Sequence, residues 1–167
     1  PTYFYIFDSV DTRRDVTIAP FKINNDNTLS ATSITSLYDG KFRRNWITNP
    51  DIDISNQAQT FGLNWPIIRY SDVLLMYAEA ENMINSGPTA GAVAALDRVR
   101  ARAFGANASQ IGTPPTDQAD FQQAIINERG WEFGDEGIRK FDLIRWNLLG
   151  TYLANAKAAL ANIASGA

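Results

Sequence analysis

In the C-terminal two-thirds of the chain, apolar side chains recur at the spacing of amphipathic helices. The first helix is predicted to begin at Ser71 or Asp72, whose side chains suit a helix cap, and to end before Gly87. Its residues 73–78 (VLLMYA) are apolar on every face. We therefore expect this helix to lie sandwiched between neighbouring elements.

A second helix is predicted after Pro88, a residue that is favoured in the first helical turn. Gly105 is its expected C-cap, and basic residues gather towards this end. Its apolar face comprises Val93, Leu96 and Val99. The two helices are predicted to form an antiparallel hairpin of the tetratricopeptide-like kind, although the chain contains no strict 34-residue repeat. Small residues suited to close helix contact are Ala78, Ala80, Ala92 and Ala95.

Further helices are predicted after a connecting loop over residues 106–116, which is rich in glycine and proline. A third helix starts near Asp117, and a fourth starts near Ile138. Residues at helical spacing in the third are Phe121, Ala124, Ile125 and Glu128, and those in the fourth are Phe141, Ile144 and Leu148. Gly150 then separates an alanine-rich tail, residues 151–164, which has high helix propensity but little bulk to pack.

The N-terminal part of the chain has a different pattern, in which aromatic residues alternate with Asn, Asp, Ser and Thr. Residues 2–7 favour β-structure, and residues 15–23 (DVTIAPFKI) alternate apolar and polar positions before a turn at 24–27 (NNDN). One or two short strands are predicted here, together with irregular chain. The predicted fold is mainly α, with an irregular segment over residues 1–64 and a helical segment over 65–167.

Composition bounds the size and the class of the molecule. The 167 residues suit one domain or a part of one, and 45% hydrophobic with 20% charged residues is typical of a folded protein. The net charge of −3 argues against nucleic acid as a partner. Cysteine and histidine are absent, which excludes Ser-His-Asp and Cys-His catalysis and cysteine-type zinc sites. We expect no cofactor and no metal.

An acidic cluster is the strongest candidate for catalysis, because paired carboxylates carry out glycoside hydrolysis. Its members are Glu128, Glu132, Asp135 and Glu136. The favoured alternative is an ionic network with Arg129, Arg139 and Arg145 that ties the last two helices together. A separate Asp-x-Asp-x-Ser string at Asp51, Asp53 and Ser55 lacks the glycine and glutamate of a calcium-binding EF-hand loop, so we interpret it as a turn or a helix cap.

Residues 37–49 (LYDGKFRRNWITN) contain the side chains that sugar recognition requires. Sugar rings present flat C–H faces that stack on aromatic rings, and their hydroxyls need amide, carboxylate or guanidinium partners. The candidate ligand-binding residues are Tyr38, Arg43, Asn45 and Trp46. The alternative for each aromatic residue is a place in the core. The basic pairs Arg13-Arg14 and Arg43-Arg44 suggest an anion site or, more simply, solvated or ion-paired arginines.

Two longer stretches carry a specific resemblance, residues 64–82 (NWPIIRYSDVLLMYAEAEN) and residues 128–146 (ERGWEFGDEGIRKFDLIRW). In the first, an arginine and an acidic residue precede a near-continuous apolar helix that ends in Ala-Glu-Ala. In the second, Glu-Arg, Glu-Gly-x-Arg and Phe-Asp-Leu-x-Arg-Trp follow in order. This set resembles the C-terminal part of the SusD/RagB family. The matching positions are Arg69, Asp72, Glu79, Glu128, Arg129, Glu136, Arg139, Asp142, Arg145 and Trp146.

The resemblance implies a structural role for those ten positions and capture of a ligand without catalysis. It implies a lipoprotein on the outer-membrane surface that binds polysaccharide or oligosaccharide and delivers it to a SusC-type TonB-dependent transporter. It also implies that this chain is the C-terminal part of a longer precursor, whose signal peptide, lipid-bearing cysteine and N-terminal helical region lie outside it.

Two functions of different classes therefore remain open. One is glycan binding, and the other is a helical scaffold that contacts the transporter or the rest of its own chain. A position of Tyr38 and Trp46 on a concave surface favours the first, and burial of both together with an exposed apolar helix face favours the second. We expect the helical region to show such an apolar face.

Overall fold

The structure is a computed structural model that describes residues 2–33, 35–49, 51–52 and 64–165. The predicted turn or cap at Asp53 and Ser55 lies outside the described residues. The α-helices are α1 (Arg13–Thr17), α2 (Tyr70–Ile84), α3 (Ala90–Phe104), α4 (Gln118–Glu132), α5 (Arg139–Arg145) and α6 (Leu149–Ser165). The strands are β1 (Ile18–Ala19), β2 (Phe21–Ile23), β3 (Leu29–Ala31) and β4 (Tyr38–Asp39), and short 3-10 helices span Phe4–Ile6, Arg44–Trp46 and Gly105–Gln110.

Helices α2 and α3 pack together as the predicted hairpin, and α4 packs against α2. Small side chains bring the helices close, since Ala78, Ala92 and Ala95 are buried at their contacts, whereas Ala80 is exposed. The larger members of this core are Leu75, Leu96, Val99, Phe121, Ile125 and Phe133. Each fully buried aliphatic or aromatic side chain contributes roughly 1.5–3 kcal/mol to folding, so this core is the main source of stability. The mainly α fold predicted from the sequence is confirmed.

The predicted caps of α2 are wrong. The helix begins at Tyr70, and its N-cap residue Arg69 makes no side-chain capping bond. Ser71 and Asp72 lie in the first turn, where their side chains bind Glu132 and Arg129 instead. Helices α3 and α4 do have N-caps, because the Thr89 side chain accepts from the amide of Ala92 and the Asp117 side chain accepts from that of Asp120. Gly105 ends α3 with a positive φ of 52°, as predicted.

Helix α2 is not sandwiched between neighbours. Leu75 and Ala78 are fully buried, but Val73, Met76 and Tyr77 are 46%, 44% and 47% exposed. The predicted stripe on α5 is also wrong, because Phe141 and Ile144 are exposed and the buried residue is Leu143. In both helices the neighbouring elements cover only a part of the apolar side chains, and the rest face solvent. The expected exposed apolar face is therefore present.

The first residues form a helical turn rather than a strand. The 3-10 helix Phe4–Ile6 brings the rings of Tyr3 and Phe7 to 5.2 Å in an edge-to-face contact, and Phe7 is buried. A strand would separate these two rings by about 13 Å. The helical turn also places Tyr3 against α4, where its hydroxyl donates to the carbonyl of Gly130 at 2.6 Å.

The short strands predicted in residues 15–23 are present as β1 and β2, but the first three residues of that stretch belong to helix α1. Strand β1 pairs antiparallel with β4, and β2 pairs antiparallel with β3. The β2–β3 connection is the predicted Asn-rich turn, in which Asn27 has a φ of 61°. The four strands form two separate two-stranded sheets, and Pro20 separates β1 from β2 along the chain.

Helix α6 begins at Leu149, so Gly150 lies inside its first turn and does not separate the tail. A glycine in an exposed helix costs only about 1 kcal/mol relative to alanine, and the following alanines offset it. The described side chains of α6 are not buried, in agreement with their small volume. The predicted loop 106–116 likewise begins with a 3-10 helix to Gln110. Among the described helices, none is both long enough and apolar enough to cross a membrane.

Candidate functional site

Three of the four residues of the acidic cluster lie in the interior, where α4 and the residues after it meet α3, the start of α2 and the N-terminal segment. Glu128 and Glu132 are one helical turn apart on the same face of α4 and are 1% and 2% exposed. Glu128 accepts from Arg13 at 2.6 Å and from Arg100 at 3.2 Å. Arg13 is itself buried and also binds Asp11. The carboxylate of Glu128 is thus neutralised from two directions.

Glu132 has the densest set of partners in the described part of the chain. Its carboxylate accepts from Arg13 at 3.1 Å, from Arg69 at 2.8 Å and from Arg102, while the Ser71 hydroxyl donates at 2.8 Å. Burial alone would raise the pKa of Glu132, but the arginines outweigh it, Arg102 first, and hold that pKa below its ordinary value. A general acid needs the opposite shift.

Glu136 extends the same network beyond the end of α4. It accepts from Arg69 at 2.7 and 2.8 Å and from the ammonium of Lys41 at 2.5 Å. Lys41 also donates to the main-chain carbonyl of Glu132. Burial lowers the pKa of Lys41 in spite of these two acceptors. The fourth acidic residue, Asp135, is exposed as a whole, but its carboxyl is partly screened from solvent, and this partial burial followed by nearby Asp39 raises its pKa.

A second ionic network joins α2, α4 and α5. Arg129 donates to Asp72 at 2.6 Å and to Asp142 at 2.7 Å. Arg145 donates to Asp142 and, through both terminal nitrogens, to Glu79 at 2.6 and 2.7 Å. Burial raises the pKa of Glu79, but its bonds to Arg145 and Trp146 outweigh this and lower it.

The remaining arginine of the motif, Arg139, makes no ion pair among the described residues. Its guanidinium donates to the carbonyl of Ile126 at 2.8 Å and lies over the ring of Tyr152. Gly130 leaves room for it, because a Cβ there would come within 3.1 Å of an Arg139 nitrogen. The acidic cluster is part of a buried ionic network, but the expected partners Arg129, Arg139 and Arg145 are wrong, because Arg129 and Arg145 pair with other carboxylates. The actual partners are Arg13, Lys41, Arg69, Arg100 and Arg102.

The aromatic surface, by which we mean Tyr38, Arg43, Asn45 and Trp46, lies in the N-terminal segment. Tyr38 is in β4 opposite Ala19 and is 50% exposed, and Trp46 ends the second 3-10 helix and is 51% exposed. Asn45 is also exposed. The structure therefore rejects the alternative that the two aromatic side chains fill the core.

Within the aromatic surface, Arg43 lies against the ring of Trp46 and is itself held by main-chain carbonyls. Its guanidinium lies 4.6 Å from the ring centre of Trp46 and 4.8 Å from that of Phe21. Its Nε donates to the carbonyl of Gly40 at 2.6 Å, and its Nη2 donates to the carbonyls of Asp15 and Val16. Gly40 is required for this approach, because a Cβ would lie 2.3 Å from the Val16 carbonyl oxygen. Arg43 thereby fixes the position of the indole.

The other basic residues predicted as anion ligands have partners within the chain. Arg13 is buried in the acidic network, Arg14 pairs with Asp15, and Arg44 donates to the carbonyls of Ile23 and Asn24. These contacts agree with the interpretation of ion-paired arginines. Within the described ranges, no group of three or more acidic side chains is placed to hold a metal ion.

Comparison with known proteins gives the family of the chain. The model of the SusD family matches residues 6–165. A SusD-like protein of Formosa agariphila is 42% identical over 103 residues, which are 62% of this chain and 19% of that protein. The crystal structure of a SusD homolog from Bacteroides thetaiotaomicron superposes with a TM-score of 0.62 at 29% identity and covers 89% of this chain.

The chain spans about a fifth of the length of the first protein and about a third of the second, with aligned shares of 19% and 32%. The motif residues on which the resemblance rested all lie in the two ionic networks or beside them. With a family model that matches nearly the whole sequence, the chain belongs to the SusD family.

Proposed function

We propose that this chain is part of a glycan-binding protein of the outer-membrane surface, which captures polysaccharide or oligosaccharide and delivers it to a SusC-type TonB-dependent transporter. Membership of the SusD family supports nutrient uptake by binding rather than by catalysis. Attachment to the membrane would rest on a lipid anchor, as in lipoproteins. Nothing in this function requires a cofactor.

The exposed aromatic surface is the observation that carries the proposal. Half of the Trp46 side chain is open to solvent although it belongs to a type of residue that is usually well buried. Arg43 holds one side of the indole, so the ring is fixed before a ligand arrives. A fixed ring loses little entropy on binding, which favours stacking against the apolar face of a sugar. Asn45 supplies a hydrogen-bonding group beside it.

The chemistry of the acidic residues supports binding without catalysis. In a glycosidase one carboxylic acid must keep its proton near neutral pH. Glu132 is instead enclosed by arginines, Arg102 first, which hold its pKa below the ordinary value, and Glu128 is paired with Arg13 and Arg100. Their role in this proposal is to hold α4 against α3 and the N-terminal segment.

The scaffold alternative rests on the apolar face of α2. Val73, Met76, Tyr77, Met83 and Ile84 are all exposed, and an exposed apolar patch of this kind commonly marks a contact with another protein surface. In this alternative the chain contacts the transporter or the remainder of its own protein and binds no sugar. The two functions use different surfaces, so they are separable by mutation.

The deciding experiment is a binding titration of Tyr38→Ala against a panel of polysaccharides and their oligosaccharides, followed by isothermal titration calorimetry and by tryptophan fluorescence. Tyr38→Ala leaves all four tryptophans, Trp46 among them, in place as fluorescent reporters. The matched control is Tyr70→Ala, because Tyr70 is exposed to a similar extent but lies on α2.

We expect the unsubstituted chain and Tyr70→Ala to bind one class of glycan, and Tyr38→Ala to bind it about tenfold more weakly through loss of one stacking contact. Absence of binding by the folded, unsubstituted chain would instead support the scaffold alternative. Equal weakening by both substitutions would place the glycan away from the aromatic surface.

A further inference from the structure

A cavity of about 380 Å³ lies between α3, α4 and the loop that joins them, and the N-terminal segment closes one side. Its volume falls in the range of small-molecule sites in proteins, about 300–1,000 Å³. We call it the α3–α4 cavity. None of the residues of the aromatic surface lines it, and neither does the motif residue Arg69 or Trp146.

One wall of the cavity is a row of side chains along α4. Asp120, Gln123, Asn127 and Trp131 line it, and their spacing of three and four residues places them above one another on the same helix face. Phe104 at the end of α3 provides a second aromatic ring. The row therefore combines polar groups with an aromatic platform at its C-terminal end.

The rings and amides of this wall are already held in position. The Trp131 indole nitrogen donates to the carbonyl of Ile6 at 3.0 Å, which fixes the ring and leaves its faces for contact. The Asn127 side-chain oxygen accepts from Gln123 at 2.9 Å, so the Asn127 amide keeps its two N–H donors free of that bond. Arg100 uses only its Nε in the bond to Glu128.

The charge of the cavity selects against anions. Asp11 and Glu128, which also line it, are neutralised by Arg13 and Arg100. Asp8 and Asp120 make no ion pair with a lysine or arginine among the described residues, so two carboxylates remain without a countercharge. A phosphate, a sulfate or a uronate would meet both of them, whereas hydroxyl groups would donate to them.

We propose that the α3–α4 cavity is a second ligand site, which takes one neutral pyranose unit as a free sugar or as the end of a chain. The indole and phenyl rings contact the C–H faces of the sugar. Asp8 and Asp120 accept from its hydroxyls, while the Asn127 amide donates to them. This site does not depend on the aromatic surface, and either one is able to bind when the other is removed.

The test uses the whole chain labelled with ¹⁵N, and it follows the indole N–H resonance of Trp131 during titration with methyl α-glucopyranoside, methyl α-mannopyranoside and methyl β-galactopyranoside. We expect a saturable shift of this resonance with at least one of the three. Asn127→Ala and Phe104→Leu keep the reporter and should each weaken the binding about tenfold. Trp46→Ala is the control and should leave the shift unchanged.

Glucuronate is the second probe, and the two uncompensated carboxylates should make it bind more weakly than the neutral glucoside. Equal or tighter binding of glucuronate would overturn the assignment to a neutral sugar. Absence of any Trp131 shift with all three glycosides would overturn the site itself. A response that disappears in Trp46→Ala but persists in Asn127→Ala would assign the sugar to the aromatic surface. Failure here leaves the polysaccharide titration of Tyr38→Ala unaffected.

Discussion

The helical region and the N-terminal segment use charged and aromatic side chains in opposite ways. In the helical region several charged residues are inside, with Glu128, Glu132 and Arg129 almost fully buried, while some large apolar residues such as Phe141 are exposed. In the N-terminal segment, Arg43 and Arg44 bind main-chain carbonyls, and Arg43 holds the exposed ring of Trp46. Buried charge fixes which elements pair, and exposed rings leave a surface for other molecules.

The two regions also differ in how much of their stability comes from packing. The helices share one apolar core, whereas the N-terminal segment buries few apolar residues, among them Phe7 and Ala19. The N-terminal segment therefore depends on contacts with the helical region, which Tyr3, Arg13 and Lys41 provide. We therefore expect substitutions of the same residue type to change the free energy of unfolding by different amounts in the two regions.

The largest difference is expected between two phenylalanines. Phe121 is fully buried in the core, so Phe121→Ala should lower the free energy of unfolding by about 3–5 kcal/mol. Phe21 is only partly buried and contacts Arg43, so Phe21→Ala should cost about 1 kcal/mol. Urea denaturation followed by circular dichroism measures both. Equal losses would show that the N-terminal segment has a core of its own.

Glu132→Ala should have the next largest effect, because it leaves Arg13 and Arg69 without their shared carboxylate. Removal of one partner from a buried pair typically costs about 3–5 kcal/mol, and we expect the lower end because Arg102 is mostly exposed and regains water. Glu81→Ala is the matched control on α2, where the glutamate only contacts Asn85 and Thr89. A loss at Glu132 no larger than at Glu81 would contradict a structural role for the network.

Stability should decrease in acid because of the same network. The pKa values of Glu132 and Glu79 are lowered in the folded chain, so the stability that they contribute is present above the unfolded pKa of about 4.3. It is lost as pH falls through the lower, folded values. Asp135, whose pKa is raised, acts in the opposite direction and offsets a part of this loss.

Urea midpoints measured between pH 3 and pH 7 test this dependence. We expect a plateau near neutral pH and a decrease below about pH 4.3. Glu79→Gln should reduce the steepness of the decrease, because it removes one of the two titrating groups. A midpoint that stays constant through the acid range would show that the two carboxylates are not stabilised by folding.

Tyr3→Phe should have the smallest effect. It removes the hydroxyl that donates to Gly130 but retains the ring contact with Phe7, so we expect a loss of about 1 kcal/mol. Tyr5→Phe is the control, because Tyr5 is 65% exposed. Thermal unfolding compares the two. A loss of several kcal/mol at Tyr3 would mean that the N-terminal segment and α4 unfold as one unit.

The helices were predictable from the sequence because their signals are local. Asp117 and Gly105 mark helix ends, and Phe121 with Ile125 marks a buried face, through residues that lie only a few positions apart. The exposure of Phe141 was not predictable, because it depends on how much surface the neighbouring helices cover. Helical periodicity identifies an apolar face, but it does not show how many neighbouring elements pack against that face.

The partners of the acidic cluster were not predictable for a related reason. Arg129 and Arg139 are near the glutamates in sequence, but the side chain that binds both Glu128 and Glu132 is Arg13, more than a hundred residues away. A sequence shows which residues are charged, and a buried charge needs a partner, but the sequence does not identify the residue that pairs with it. The aromatic surface was identified by residue type alone, and its exposure required the three-dimensional structure.

The long sequence separation of the Arg13 contacts has a consequence for folding. Local contacts in the α2–α3 hairpin form early, whereas a bond between residues 115 positions apart must wait until the intervening chain has been ordered. Arg13→Ala should therefore accelerate unfolding and change the refolding rate little. Stopped-flow measurements in urea would then show that the N-terminal segment docks on the helices last in folding and separates from them first in unfolding. The aromatic surface would be the final part of the molecule to assemble.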